Sequence, residues 1–134
     1  MYGIEIWYGI TQLNDDRIFK LQKKSIRAIN CLPYNSHTND YFKSMKLLKL
    51  EDLYKLRVLL YMYKSELIHN TRTHDYSTRN ANNITLPLFN KSKSQRTIFY
   101  KGIIFWNNLP LDIKNLQSVN IFKNAVKSKL LVEY

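Results

Sequence analysis

The sequence predicts a mainly α-helical fold, a small bundle of four to six helices with a polar loop and room for one short edge strand. Three observations carry this reading. The segments 15–32 and 50–69 repeat apolar residues at steps of three and four. Val119, Phe122, Val126 and Leu130 show the same spacing near the C-terminus. A dense apolar run from Ile98 to Trp106 suits either a buried helix or a strand, and is read as a helix. With 134 residues, 45 % of them apolar, the chain has the length of one domain and enough apolar mass for a core. It reads as a single module over 1–134, without internal repeats or low-complexity tracts.

Residues 2–10 (YGIEIWYGI) fit either a buried strand or the last turns of a helix, and Gly3 and Gly9 weaken both. An apolar, uncapped start of this kind reads as the continuation of something longer. The basic helix 15–32 (DDRIFKLQKKSIRAINCL) follows, and the rest of the chain is organised around it. At 3.6 residues per turn, Ile18, Leu21, Ala28, Ile29 and Leu32 share one side, while Arg17, Lys20, Lys23, Lys24 and Arg27 share another. Asp15 and Asp16 suit the positive end of the helix dipole. Pro33 ends the helix, because the residue before a proline is biased away from helical angles. Tyr34 to Asn39 (YNSHTN) is loop, and Thr38 suits the N-cap of a short helix at 39–47.

In the amphipathic helix 50–69, Leu53, Leu56, Leu60, Tyr63 and Leu67 form a stripe, with Glu51 and Asp52 in the first turn. Alone it is marginal in water, and the apolar side of helix 15–32 is its natural partner. The polar loop spans 70–97. Within it NTRTHDYSTRNANN has no period, Ile84 to Phe89 is at most an edge strand because Pro87 breaks it, and KSKSQR is basic. The C-terminal helices occupy 98–132. The first begins near Ser94 and ends before Pro110. Ser118 caps the second, which leaves Lys114, Lys123, Lys127 and Lys129 outside its inner stripe.

Lys and Arg number 21 against 10 Asp and Glu, a net charge of +11 with a pI of about 9.8. That imbalance favours a nucleic acid or an anionic membrane surface over an acidic protein partner. No run approaches the roughly 18 to 20 apolar residues of a spanning helix. No secretory signal is expected, since Glu5 interrupts the N-terminal apolar run and no basic segment precedes it. Peripheral helices present Trp or Phe beside their lysines; both tryptophans here read as core, so nucleic acid ranks ahead of membrane. A single cysteine, Cys31, excludes an internal disulfide, fits a reducing compartment, and reads as a small buried hydrophobe near a helix end.

Catalytic and metal chemistry find little footing. Asp15 and Asp16 resemble the paired aspartates of polymerases only as a dipeptide. Such pairs work on a hairpin between strands, whereas here a helix begins at once, so both read as helix-start residues. No other carboxylate cluster is visible. Cys31, His37, His69 and His74 lack the second nearby cysteine of structural zinc sites. No Ser-His-Asp or Cys-His set exists, and the three scattered glycines form no phosphate loop. No catalytic residue, cofactor or metal ligand is assigned. The candidate nucleic-acid contacts are Arg17, Lys20, Lys23, Lys24 and Arg27 on the basic helix, with His74, Tyr76 and Arg79 in the polar loop. Aromatic and guanidinium planes of that kind stack on unpaired bases or clamp phosphates.

A series of motifs runs through nearly the whole chain: Tyr2-Gly3-Ile4-Glu5-Ile6-Trp7, then Leu21-Gln22-Lys23-Lys24-Ser25-Ile26-Arg27, then His37-Thr38. Leu47-Leu48-Lys49-Leu50-Glu51-Asp52-Leu53, His74-Asp75-Tyr76-Ser77-Thr78-Arg79 and Tyr100-Lys101-Gly102 continue it. Trp106-Asn107-Asn108-Leu109-Pro110 and Phe122-Lys123 close it. In this order and spacing the chain resembles the region after the polymerase domain in non-LTR (LINE-type, jockey- and CR-like) retrotransposon reverse transcriptases. It departs from that pattern at Ser25, where alanine is usual, at Ser77, where asparagine is common, and at Tyr8, which separates Trp7 from its usual glycine.

The resemblance implies a thumb-like and post-thumb module that helps to hold template–primer or element RNA, in the nucleus or cytoplasm. The catalytic aspartates of the parent RNA-directed DNA polymerase would lie upstream of Met1, so no enzyme activity is expected of this chain alone. Its expected partners are RNA and/or DNA through phosphates, and the missing polymerase domain of the parent. By the same analogy Lys20, Lys23, Lys24 and Arg27 meet phosphates. Trp106, Asn107, Leu109 and Pro110 are structural: the Trp fills the core, and the Asn bonds backbone at the turn. Two other classes remain open, a non-functional transposon relic and a helical protein-interaction module. The latter would dock through the apolar N-terminal segment; exposure of Ile4, Ile6 and Trp7 would favour a missing partner or a missing domain.

Overall fold

The computed structural model describes residues 3–65, 83–88 and 91–132. Among them the fold is mainly helical and contains no strand. In chain order the segments are α1 (Ile4–Trp7), α2 (Gln12–Ile29), α3 (Asn39–Ser44), α4 (Leu50–Lys64), α5 (Ser92–Gln95), α6 (Ile98–Asn107), α7 (Leu111–Lys114) and α8 (Val119–Val132). Four of them, α2, α4, α6 and α8, have ten or more residues; the others are short connecting turns.

The centre of the bundle is α4. It packs most extensively on α6, then on α8, and more lightly on α1 and α2. This corrects the pairing expected with the basic helix. The reason lies in the shape of its apolar surface. Leu50, Tyr54 and Val58 join Ile4 in one cluster. Leu56, Leu59 and Met62 join Ile103, Trp106, Leu109, Phe122, Val126 and Leu130 in another. A helix apolar on more than one face is an interior element rather than an amphipathic one, so α4 takes several partners. The expected stripe is part of this surface: Leu56 is buried, and Leu53, Leu60 and Tyr63 are partly so. Leu67 lies outside the described residues.

The C-terminal helices follow the expected pattern with two adjustments. Along α8, Phe122, Val126 and Leu130 are buried while Val119 is 37 % exposed. The run that was expected to start near Ser94 is divided instead into α5 and α6. Thr97 sits between them with extended backbone, and its hydroxyl accepts from the Tyr100 amide at 3.4 Å, an N-cap that restarts the helix at Ile98. The polar loop 70–97 therefore contains a helical turn. Trp106 is core, as expected. Asn107 bonds backbone, but across the fold rather than at its own turn: its amide donates to the Ile84 carbonyl and accepts from the Ile84 N–H, both at 2.9 Å. With those groups taken by a side chain, Ile84 offers no ladder for an edge strand, and 84–88 runs without regular structure.

The basic helix is displaced from its expected bounds of 15–32 to 12–29. It starts earlier because Thr11 takes the extended N-cap position. It ends earlier because Cys31 adopts a left-handed backbone, φ 51°. The Cys31 amide then donates to Ala28 O at 3.3 Å and the Leu32 amide to Arg27 O at 2.9 Å, the two bonds of a Schellman motif. This position turns Cys31 outward, so it is exposed rather than buried. The same closure ends α3 at Ser44 instead of residue 47. There Lys46 has φ 51°, and the Leu47 amide reaches Phe42 O at 2.9 Å. Thr38 precedes that helix and is buried, but its side chain makes no capping bond.

A left-handed backbone disfavours any residue with a Cβ by about 1–2 kcal/mol, part of which glycine's extra unfolded-state freedom offsets. Cys31→Gly is accordingly expected to stabilise the fold by about 0.5–1 kcal/mol, raising the thermal midpoint by a few degrees. A lower midpoint would contradict the left-handed closure.

At the N-terminus, residues 4–7 form the one-turn α1. Ile4 is fully buried against α4, Trp7 is half-buried, and Ile6 is exposed. Of the three residues whose exposure would mark a missing partner or domain, only Ile6 is mostly exposed. No described helix is long and apolar enough to cross a membrane.

Candidate nucleic-acid interface

The site follows from which way α2 faces. Six of its seven apolar residues from Leu13 to Ile29 spread over about half of the helix circumference, so hydrophobicity alone permits more than one inward rotation. Two polar contacts select among them. The Asp15 carboxylate accepts from the Gly9 amide at 3.0 Å, and the Gln22 amide donates to Leu48 O at 2.8 Å. Asp15, Ile18, Phe19, Gln22 and Ile26 consequently face inward, with Asp15 and Ile26 buried. This face lies roughly a quarter-turn from the expected one. Ile18 keeps its expected place, half-buried, whereas Leu21 and Ile29 are 62 % and 66 % exposed and Ala28 is exposed too.

The five cations of α2 all line one groove of about 610 Å³, together with Leu21 and Tyr34. Among the described residues none of the five forms an ion pair. Arg17, Lys20 and Lys24 are exposed. Arg27 is half-buried because its Nε–H donates to Ser36 O at 3.0 Å, with its guanidinium carbon 5.8 Å from the Tyr34 ring centroid. Lys23 stands at the groove's edge, its ammonium 4.3 Å from the Phe19 ring centroid. The structure thus brings Arg17, Lys20, Lys23, Lys24 and Arg27 together, as the helical pattern predicts. The second predicted group, His74, Tyr76 and Arg79, lies outside the described residues, as does His69.

Two groove residues were not legible as such. Tyr34 read as loop, although an aromatic directly after the helix-ending Pro33 was the available signal. Leu21 read as core. Groups of this kind can neutralise phosphates and cover a flat apolar surface at once.

The neighbouring side of α2 carries the other sign. Asp15 and Asp16 meet Glu51 and Asp52 of α4 around a depression of about 350 Å³, which Tyr8, Lys23 and Lys49 also line. This cluster, absent from the linear sequence, forms because α1 and α4 bring the two helix starts side by side. Lys55 partly neutralises it, at 2.9 Å from Glu51 and 3.2 Å from Asp52. Burial, aided by Glu51 and Asp15, pushes the Tyr8 phenol up to about 12; its ring packs on Tyr54 with centroids 4.6 Å apart. No three His, Cys, Asp or Glu among the described residues are placed to share a metal ion. Lys23 lines both depressions, so the acidic and the basic one adjoin along α2.

No family model, curated protein or solved structure matches this chain.

Proposed function

We propose that this chain is a nucleic-acid-binding helical module from the C-terminal part of a non-LTR retrotransposon reverse transcriptase, holding RNA or DNA through phosphates. The observation that carries the reading is the groove along α2. Five cations converge on it, no carboxylate among the described residues lines it, and the protein as a whole bears +11. The ordered motifs from Tyr2-Gly3 to Phe122-Lys123 support the family origin. No catalytic role is proposed for this chain alone.

The test is a binding titration of the purified chain at two salt concentrations against a fluorescent single-stranded RNA, a DNA duplex and an RNA–DNA hybrid. Binding is expected to weaken steeply with salt, because phosphate neutralisation releases counterions. Reversing Arg17, Lys20 and Lys24 to glutamate is expected to lower affinity about 10- to 100-fold and to flatten the salt dependence. All three are exposed, so the variant should fold. Unchanged affinity in that variant would remove the basis of the reading. A protein-docking module is the second reading, favoured by the exposed side chains of Ile6, Ile10 and Leu13.

A further inference from the structure

Tyr34 has a placement that phosphate contact does not require. It is 83 % exposed, yet the turn that carries it is held. Pro33 restricts the backbone before it, the Ser36 amide returns to Pro33 O at 3.1 Å, and Arg27 ties Ser36 O to α2 at 3.0 Å. The ring is presented at the mouth of the groove, with the Arg27 guanidinium beside it and Leu21 among the lining residues. A ligand that fits this lining has negative charge for the cations and a flat, weakly polar part for Tyr34 and Leu21.

From this geometry we propose that the groove along α2 is a stacking site for an unpaired base of a single-stranded nucleic acid. Tyr34 is the platform, and Arg17, Lys20 and Lys24 hold the neighbouring phosphates. The proposal rests on the nucleic-acid reading above and narrows it to one class of substrate. In a duplex both faces of each base are covered by its neighbours, so an exposed tyrosine finds only edges and backbone. In a single strand the base faces are open, and stacking on an aromatic ring is strong and sequence-tolerant. The groove's 610 Å³ lies within the ~300–1,000 Å³ of ordinary ligand sites. Arg17 and Lys24 stand about 10 Å apart along the helix axis, so the exposed cations span more than one phosphate.

The experiment is fluorescence anisotropy with three labelled probes of about 12 nucleotides, within the usual site sizes: an oligothymidine strand, the same strand with abasic sites, and a DNA duplex. Tyr34→Ala is expected to weaken the intact strand about 5- to 100-fold and to leave its salt slope, the abasic strand and the duplex unchanged. Tyr34→Phe is expected to restore strand binding, since the ring suffices. Circular dichroism should show both variants folded, because the side chain is exposed.

If Tyr34→Ala weakens all three probes equally, or none of them, the stacking site is overturned while phosphate binding stands. If the unmodified chain binds no probe even at low salt, the nucleic-acid reading itself falls. Vesicles of anionic phospholipid serve as a further arm. Vesicle binding that depends on Tyr34, with strand binding that does not, would reassign the groove to a membrane surface.

Discussion

Replacing Phe122 by alanine is expected to destabilise the fold by about 3–5 kcal/mol, enough to remove a large part of the ~5–15 kcal/mol that holds a typical domain together. Phe122 is fully buried at the meeting of three helices. Its ring stacks on Tyr63 of α4 with centroids 4.4 Å apart and lies 5.9 Å from Trp106 of α6. Truncation leaves a cavity that neither ring readily fills. Tyr63 is tethered through its hydroxyl, which donates to Leu116 O, and Trp106 is enclosed within the same cluster. The aromatic pairing itself adds about 0.5–1.5 kcal/mol to the area lost. Urea unfolding followed by circular dichroism measures the effect, and the neighbouring Ile121→Ala is the control. Ile121 is exposed, so that change should cost little. Equal losses in the two variants would mean that α8 presents a different face to the core.

The second large effect is expected at the crossing of α4 and α6. Gly102 lies where a Cβ would come within 2.7 Å of both Cγ and Sδ of Met62 and 3.4 Å from Val58. Met62 and Val58 are fully buried, so neither can swing into solvent. Gly102→Val is expected to cost about 3 kcal/mol, at the upper end of overpacking, because two further methyl groups follow the clashing Cβ. The improved helix propensity of a non-glycine residue offsets only a fraction of this.

A paired variant separates steric conflict from other causes. Met62→Ala alone is expected to lose about 2–5 kcal/mol through its cavity, but in that background Gly102→Val should be far less harmful, because the new methyls occupy the vacated space. Strict additivity of the two losses would show that the helices do not cross at this point.

Much of the helical framework was readable from the residues because it rests on local rules. The stripe Phe122, Val126, Leu130 and the dense run ending in Trp106 identify inward faces, and Phe122, Val126, Leu130, Ile103 and Trp106 are buried, while Val119 and Ile104 of the same two patterns are exposed. The grouping of Arg17, Lys20, Lys23, Lys24 and Arg27 was readable too, since angular spacing along one helix is set by its 3.6-residue period. The details that went astray depend on contacts distant in sequence. Asn107 was expected to bond at its own turn but holds Ile84, 23 positions away. Leu21 was expected inside, yet Gln22 bonds to Leu48 O, 26 positions away, and turns Leu21 out into the groove.

By itself, then, the sequence determined a basic, mainly helical chain with five cations on one face, because periodicity and charge are properties of single segments. Only the tertiary structure decided what that face contains. Two polar tethers, Asp15 to Gly9 and Gln22 to Leu48, chose the inward rotation of a helix whose apolar residues spread over about half of its circumference. Arg27 held Tyr34 beside the cations through Ser36. The physical reason is that burial of apolar area is non-directional, whereas hydrogen bonds at about 3 Å have direction and select one rotation among several of similar hydrophobic gain.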